Sequence, residues 1–317
     1  MKGAARRWMF ASLAALWIVG TAGTVLAAAA EVKVTDRDRT FRNFTRDAAV
    51  IDDGQFRIEL RGMHLEEDSA KNDPNTPGRC QSPLNENCTR LDIGGRRVLG
   101  VEQLNGGLLE LVASYGIGGN VEVGGILPGI FETVHRDDGT SDSAQDLGDM
   151  TLYGKFKYLI EDVVSVAGGL ELTLPTGDDD KITTVTTAAH PQIQHGTASG
   201  FGTGTLGINP VISARYTWKQ IGVQTHVGYN FYTDSEVEQF FNWSATGFVR
   251  GGESWAFRAE FNGRVFDQFG TTWVDVNCFP GIDYYLSDSI VFRPTGMANI
   301  TGTSLDWGIG TGISATF

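Results

Sequence analysis

Charged side chains recur at alternate positions of this chain, each between apolar neighbours. In residues 255–265, Arg258, Glu260 and Arg264 occupy one parity, and aromatic or small apolar residues occupy the other. Residues two apart on a β-strand share a face, so these charges lie together, opposite the apolar face. Eight charges with this placement are the candidate functional residues: Lys155, Lys157, Glu171, Arg215, Arg258, Glu260, Asp283 and Arg293.

These charges could serve one of two roles: they could select solutes in a pore, or they could pair with each other and stabilise the strands that carry them. Charges that line a pore select solutes by sign and polarity. Charges of both signs on a water-poor face pair with each other instead. The sequence leaves both readings open. Under the first, we expect Arg215, Arg258 and Arg293 to orient the acidic or polar group of a solute.

The histidines suggest two further chemistries, hydrolysis and metal binding. His226 has the polar parity and His64 the apolar parity, and no serine stands two residues after His64. A serine on another strand would complete a Ser–His pair, so lipid hydrolysis stays a third alternative. His190 and His195 lie near Asp178–Asp180 without a recognised ligand spacing. We therefore predict no metal, no cofactor and no enzymatic activity.

Cys80 and Cys88 enclose a short polar stretch between two predicted strands. Disulfides form in the oxidising compartments that exported proteins reach, so we predict a small loop disulfide between them. Cys278 has the apolar parity of its strand and is predicted to be a small apolar wall residue.

Period-two alternation begins at Gly54 and predicts twelve β-strands. Short connections follow the even-numbered strands, and long ones follow the first, third and fifth. An even number of antiparallel strands with short turns at one end is typical of a closed transmembrane barrel. The predicted strands are Gln55–Leu65, Gly106–Gly116, Asn120–Val134, Asp149–Ile160, Val164–Leu174, Leu206–Trp218, Val223–Phe231, Phe241–Val249, Trp255–Val265, Val274–Tyr285, Ile290–Asn299 and Ser304–Phe317.

Aromatic residues concentrate beside the short connections, where amphipathic rings would form an interfacial girdle. They are Tyr115, Tyr158, Tyr216, Trp218, Trp255, Tyr284 and Phe317. A water-soluble β-sandwich would bury the same alternating face but explains neither the girdle nor the aromatic last residue. We predict an all-β fold, a closed antiparallel transmembrane β-barrel of about twelve strands and outer-membrane type, formed by residues 54–317.

The two ends of the chain agree with export and membrane insertion. Residues 1–30 have a basic start, an apolar core and small residues at the end, which predicts a signal peptide cleaved after Ala28 or Ala30. Residues 31–53 are polar and show no periodicity, so we expect a periplasmic segment or a plug in the lumen. The alternating last strand ends on Phe317, which resembles the C-terminal insertion signal of Gram-negative outer-membrane barrels.

The charge of the chain argues against nucleic acid as a partner. The formal net charge is −13, and removal of Lys2, Arg6 and Arg7 with the signal takes it to −16. Nucleic-acid binding needs a basic face. The mean hydropathy of −0.13 fits a membrane barrel, because half of each strand faces water.

Three sequence stretches carry a resemblance to a known family. GDMTLYGKFKYLIED contains Gly148, Asp149, Lys155 and Lys157. GGLELTLPTGD ends in Pro175–Asp178, and GTGTLGINPVISARYTW follows. Over about residues 146–317 the chain resembles the outer-membrane transporter family linked to the phenol meta-degradation pathway. The resemblance implies a barrel that passes small aromatic or hydrophobic compounds.

These observations favour a passive outer-membrane channel or transporter for small solutes, including aromatic or hydrophobic compounds, with both termini in the periplasm. The alternatives are a closed barrel with a structural or surface-interaction role and, third, an outer-membrane lipid hydrolase. The expected partners are outer-membrane lipid, a small-molecule solute, and the barrel assembly machinery through the strand ending at Phe317.

Overall fold

The computed structural model describes residues 48–66, 89–91, 97–99, 101–136, 141–160, 163–177, 185–187, 190–195, 204–233, 239–268, 271–301 and 307–317. The predicted signal segment, residues 31–47 and the Cys80–Cys88 pair lie outside these residues and stay predictions. Among the described residues, no helix is both long enough and apolar enough to span a membrane.

The described secondary structure is entirely β. Its strands are β1 (Phe56–Glu66), β2 (Thr89–Leu91), β3 (Arg97–Leu99), β4 (Val101–Ile117), β5 (Val121–Arg136), β6 (Ser141–Leu147), β7 (Met150–Ile160), β8 (Val164–Leu174), β9 (Val185–Thr187), β10 (His190–His195), β11 (Gly207–Trp218), β12 (Ile221–Tyr232), β13 (Phe240–Arg250), β14 (Trp255–Gln268), β15 (Thr271–Tyr285), β16 (Ile290–Asn299) and β17 (Trp307–Thr316).

Thirteen of these strands form one antiparallel sheet that closes on itself. Chain neighbours pair around the wall from β11 to β17, β17 pairs with β1, and β1 continues through β4, β5, β7 and β8 back to β11. β6 and β7 pair with successive parts of β5, so they occupy one position in the wall. The wall is therefore a closed barrel of twelve antiparallel strands, which confirms the predicted fold class.

The strand boundaries differ from the prediction mainly at one hairpin. The long connection predicted after the third strand is wrong, because β5 continues to Arg136 and β6 pairs with it from Ser141. Apart from Leu147, β6 consists of serine, aspartate, alanine and glutamine, so no apolar period revealed it. In the long connections after β1 and β8, β2 pairs with β3 and β9 with β10 as short hairpins.

The alternation of inward and outward side chains is regular. In β11 the inner residues are buried and most of their neighbours, such as Ile212 and Tyr216, are exposed on the outer wall. β-branched and aromatic side chains cover this outer wall, as strand propensity and lipid contact both favour.

The two ends of the barrel have different connections. Tight turns at 118–120, 219–220, 251–254 and 286–289 mark what we call the short-turn end, and the opposite end is the long-loop end. Gly118 and Gly119 have φ values of 60° and 70°, which their turn requires and which glycine adopts without strain. The predicted aromatic girdle lies at the short-turn end, where Tyr158, Trp218 and Phe317 are exposed.

Candidate functional site

The inner wall of the barrel is the candidate site. The strand period turns every second side chain toward the lumen, and the predicted charges have this inward parity. All eight predicted charges lie on this inner face. Six of them stand in the half of the wall near the short-turn end, Lys155, Lys157, Arg215, Arg258, Asp283 and Arg293. Glu260 lies near mid-height, and Glu171 lies toward the long-loop end.

Glu122 is the centre of one charged group near the short turn between β4 and β5. Its carboxylate lies 3.3 Å from Arg57 Nη2 and 3.2 Å from Lys155 Nζ. It also accepts a hydrogen bond from the Tyr153 hydroxyl at 3.2 Å. We call Arg57, Glu122, Tyr153 and Lys155 the Glu122 cluster. Two cations, on β1 and β7, therefore meet one buried carboxylate on β5, and β4 lies between β1 and β5 in the wall.

Residues 48–51 lie inside the barrel against this cluster. Ala48, Ala49, Val50 and Ile51 are all buried. The Ile51 amide donates to Glu122 Oε2 at 3.0 Å, and Lys155 Nζ donates to the Ala49 carbonyl oxygen. Backbone groups of a short apolar segment are thus satisfied by wall charges.

Gly116 is the wall residue that makes room for this segment. A Cβ at position 116 would lie 2.2 Å from the Asp52 carbonyl oxygen and 2.5 Å from that of Ile51. Any side chain there would push the backbone of residues 51 and 52 away from the wall. The nearby Asp53 carboxylate accepts the Gly118 amide at 2.6 Å, which ties the segment to the short turn.

A second charged group, the arginine network, comprises Glu59, Arg258, Glu260, Asp283 and Arg293 on β1, β14, β15 and β16. Arg258 lies 3.2 Å from Asp283 and 3.4 Å from Glu260. Arg293 lies 3.0 Å from Glu59 and 3.6 Å from Asp283. Each side chain is at most 2% exposed. Such charges are stable only when they are paired, and here every one is.

Arg215 has a different environment from the other two arginines predicted to face a solute. It is buried, its Nε donates to the Thr217 hydroxyl at 3.1 Å, and its guanidinium lies 5.7 Å from the centre of the Phe248 ring. Phe248 in turn covers Gly222, where a Cβ would lie 2.0 Å from the ring. Arg215 is therefore held by an aromatic face and a hydroxyl.

The two remaining predicted residues are more accessible. Lys157 is half-buried, and its backbone amide donates to the Asn120 carbonyl oxygen at 2.8 Å beside the short turn. Glu171 is half-buried at the long-loop end and accepts a hydrogen bond from Asn209 Nδ2 at 2.7 Å.

Six asparagines form a band on the inner wall toward the long-loop end. Each of six consecutive strands, β11 to β16, contributes one. We call this band the amide belt, and its members are Asn209, Asn230, Asn242, Asn262, Asn277 and Asn299. None was a candidate from sequence, although one asparagine of inward parity in each of six strands is a signal that could have found them.

Hydrogen bonds join part of the amide belt. Asn242 Nδ2 donates to Asn209 Oδ1 at 3.3 Å across Gly228, where a Cβ would lie 2.5 Å from that oxygen. Asn299 donates to Asn277 at 2.9 Å and to Asp275 at 2.7 Å. Glycine at position 228 thus lets two amides meet over the intervening strand.

Arg264 and Asp275 form an ion pair beside the belt. Arg264 Nη2 lies 2.9 Å from Asp275 Oδ2, and the arginine side chain keeps 26% of its surface exposed. Asn277 Nδ2 also donates to Asp275 at 3.2 Å. The carboxylate is thus bound by an arginine and by two amides of the belt.

A Ser–His–Asn arrangement occurs between β12 and β13. Ser244 Oγ lies 3.4 Å from His226 Nδ1, and His226 Nε2 lies 3.2 Å from Asn242 Oδ1. Ser244 is 0% exposed, so a substrate carbonyl has no approach to its hydroxyl. His64 lies on the outer wall, edge-on to Trp307 with ring centres 6.5 Å apart. Neither histidine has the geometry of an accessible hydrolase site.

Comparisons with known proteins place the fold. No family model matches the chain, and no curated protein matches it significantly. An outer membrane channel from Pseudomonas putida F1 superposes with a TM-score of 0.58 over 88% of this chain and 100% of that chain, at 13% identity. The β domain of the Bordetella autotransporter BrkA superposes with a TM-score of 0.50 over 84% of this chain and 100% of that chain, at 10% identity.

These similarities establish the outer-membrane barrel fold and nothing finer. One neighbour is a channel and the other is an autotransporter domain, so the fold is compatible with more than one function. The transporter-barrel part of the family resemblance agrees with the first neighbour. The link to phenol degradation stays a prediction.

Proposed function

We propose that this protein is a passive channel for small solutes in the bacterial outer membrane, with its short turns and both termini in the periplasm. The observation that carries the proposal is the contrast between an apolar outer wall and an inner wall whose buried side chains are mostly polar or charged. A barrel needs the first to sit in lipid. The half-exposed amides near the long-loop end are suited to contact with a polar solute.

The arrangement described here corresponds to a closed state of that channel. Residues 48–51 occupy the lumen at the short-turn end, and the arginine network leaves almost no side-chain surface exposed. We propose that residues 31–53 act as a plug, of which 48–53 are the described part. Opening then requires the plug to leave Glu122 and Lys155, which would make both groups available to water.

The ion pairs narrow the choice of solute. Arg258 and Arg293 bind carboxylates of the wall itself, so they are poor receptors for the carboxylate of a solute. We assign bracing of the wall to Arg258, Arg293, Glu260 and Asp283. Passage of aromatic or hydrophobic compounds rests on the family resemblance alone.

The test is conductance of the refolded mature protein in a planar bilayer, with phenol or benzoate added in turn. Folding is verified by the heat-dependent mobility of the protein on a gel. We expect stepwise currents in KCl, and block by phenol would support an aromatic solute. Absence of current from folded wild-type protein and from a variant with the plug displaced would contradict the channel.

A closed barrel with a structural or surface role is the second candidate. The arginine network favours it, because every charged side chain in the network has an ion-pair partner within the wall. It predicts that folded protein carries no current in a planar bilayer, with or without the plug. A lipid hydrolase has no support of this kind, because Ser244 is fully buried.

A further inference from the structure

The amide belt has hydrogen-bonding capacity that the protein does not use. Asn230 and Asn262 are half-buried on the inner face, between outward residues on either side. Within the described part of the chain, neither amide makes a side-chain hydrogen bond. The side chain of Asn262 stands beside Ser244 in strand register, and that of Asn230 stands beside Phe240.

The amides that do bond within the belt also retain capacity. Asn209 and Asn242 each use one amide hydrogen, toward Glu171 and toward Asn209 respectively. A side-chain amide carries two such hydrogens and a carbonyl oxygen with two lone pairs. The belt therefore presents donors and acceptors side by side over six strands. A hydroxyl group needs both from its binding site.

The two carboxylates beside the belt are both engaged by the wall. Asp275 forms an ion pair with Arg264, and Glu171 accepts a hydrogen bond from Asn209 and keeps its negative charge. Arg264 stands opposite Asn242 in strand register and is paired with the buried Asp275. An anion moving past the belt would lose water, and this nearby cation is already paired with a carboxylate of the wall. A neutral solute would exchange water for amides at little cost.

We propose that the amide belt binds neutral, hydroxyl-bearing solutes such as sugars and polyols, in preference to carboxylates of the same size. The proposal rests on the channel function proposed above and names the solute class of that channel. Asn230 and Asn262 supply the hydrogen bonds that the wall leaves open. Asn209 and Asn242 hold the rest of the belt in register with them.

The test compares glucose with gluconate, which has a similar size but carries a negative charge. Entry of each solute into proteoliposomes is followed by swelling, and KCl conductance is measured in parallel. The variant N230L/N262L replaces the open amides with apolar side chains that branch at the same carbon but are larger, and its KCl conductance reports any narrowing of the lumen. N120L makes the same change at an exposed position in the short turn, away from the belt. A second variant, N262D, keeps the shape and adds a negative charge.

We expect wild-type protein to admit glucose faster than gluconate. N230L/N262L should lower glucose entry about tenfold, as the loss of two hydrogen bonds predicts, and N120L should match wild type. N262D should slow gluconate more than glucose. Gel mobility after each refolding shows whether a variant has folded.

Three results would overturn the proposal. KCl current with equal entry of glucose and gluconate, or with glucose entry unchanged in N230L/N262L, would refute the belt as the binding site and leave the channel intact. If folded wild-type protein carries no KCl current, the series is repeated in Gly116→Val, which displaces the plug. Absence of current from that variant as well would refute the channel and the belt together.

Discussion

The two halves of the lumen satisfy their polar groups in opposite ways. Toward the short-turn end, Arg258 and Arg293 are buried and paired with carboxylates of other strands, Asp283 on β15 and Glu59 on β1. Toward the long-loop end, Asn230 and Asn262 are half-exposed and make no side-chain hydrogen bond among the described residues. The comparison teaches that a charge on an inner wall can be committed to another charge of the same wall. Our proposal of a solute site therefore rests on the accessible amides and not on the buried arginines.

The difference follows from the cost of burying each kind of group. Burying an unpaired charge costs far more free energy than burying an unpaired amide. The charged side chains of a closed lumen must therefore be paired, whereas its amides need not be. Amides near water tolerate an incomplete set of hydrogen bonds. We therefore expect substitutions to divide sharply: those in the arginine network act on stability, and those in the amide belt act on transport.

The largest stability effect is expected for Arg293→Met. The substitution leaves Glu59 buried without the arginine that pairs with it at 3.0 Å. It also removes one of the two arginines that lie close to Asp283. Breaking a buried pair from one side costs about 3–5 kcal/mol. The measurement is urea unfolding in lipid vesicles, followed by tryptophan fluorescence.

Arg264→Met is the matched control at the long-loop end. Arg264 is partly exposed, and Asp275 keeps hydrogen bonds from Asn277 and Asn299. The expected loss is smaller, on the order of 1 kcal/mol. Equal losses in the two variants would mean that the arginine network contributes no more than a surface ion pair, and the contrast between the halves would fail.

The sequence was sufficient for the barrel but not for this contrast. Alternation in β11 and β14 predicted which residues face inward, because the strand period alone determines the face. It did not predict pairing, since whether Arg258 meets a solute or Asp283 depends on the register between strands. The register brings distant segments together, such as Glu59 on β1 and Arg293 on β16, whose side chains meet across β17.

Glu122 was missed for a different reason. Glycines and a proline in β5 obscure the alternation around it, so the strand was the weakest of the twelve in sequence. The amide belt was missed because a single inward asparagine in one strand does not differ from any other polar residue of inward parity. Its signal lies in position across six strands and not in any one motif.

Gly116→Val is expected to have the next largest effect. The side chain would occupy the space of the Asp52 and Ile51 carbonyl oxygens and displace residues 48–52. Burial of Val50 and Ile51 would be lost, at a cost on the order of 2 kcal/mol. Bilayer conductance should rise because the short-turn end of the lumen is then open.

Gly247→Val is the control for this change. A Cβ at position 247 meets no atom within 4 Å, and the residue lies on the outer wall. Conductance should equal that of wild type. If Gly116→Val left the current unchanged while the protein remained folded, residues 48–51 would not be the plug.

The paired substitution N230L/N262L should leave the barrel about as stable as wild type. No described hydrogen bond is lost, so we expect a change in unfolding free energy within about 0.5 kcal/mol. Urea unfolding measures it under the conditions used for Arg293→Met. A loss as large as that of Arg293→Met would show that the amides brace the wall, and the assignment of transport to the belt would be wrong.

The smallest effect is expected from salt. Raising NaCl from 0.1 to 1 M shortens the screening length from about 10 to about 3 Å, but screening acts on charges that water and ions can reach. Arg258, Glu260 and Asp283 have no exposed side-chain surface, so their pairing should not respond. Arg264 is the exposed partner of its pair and should respond weakly.

The urea midpoint should therefore be nearly independent of salt in wild type and in Arg264→Met alike. A strong fall of the midpoint with salt in both proteins would mean that water enters the arginine network, and that the short-turn half of the lumen is open in solution.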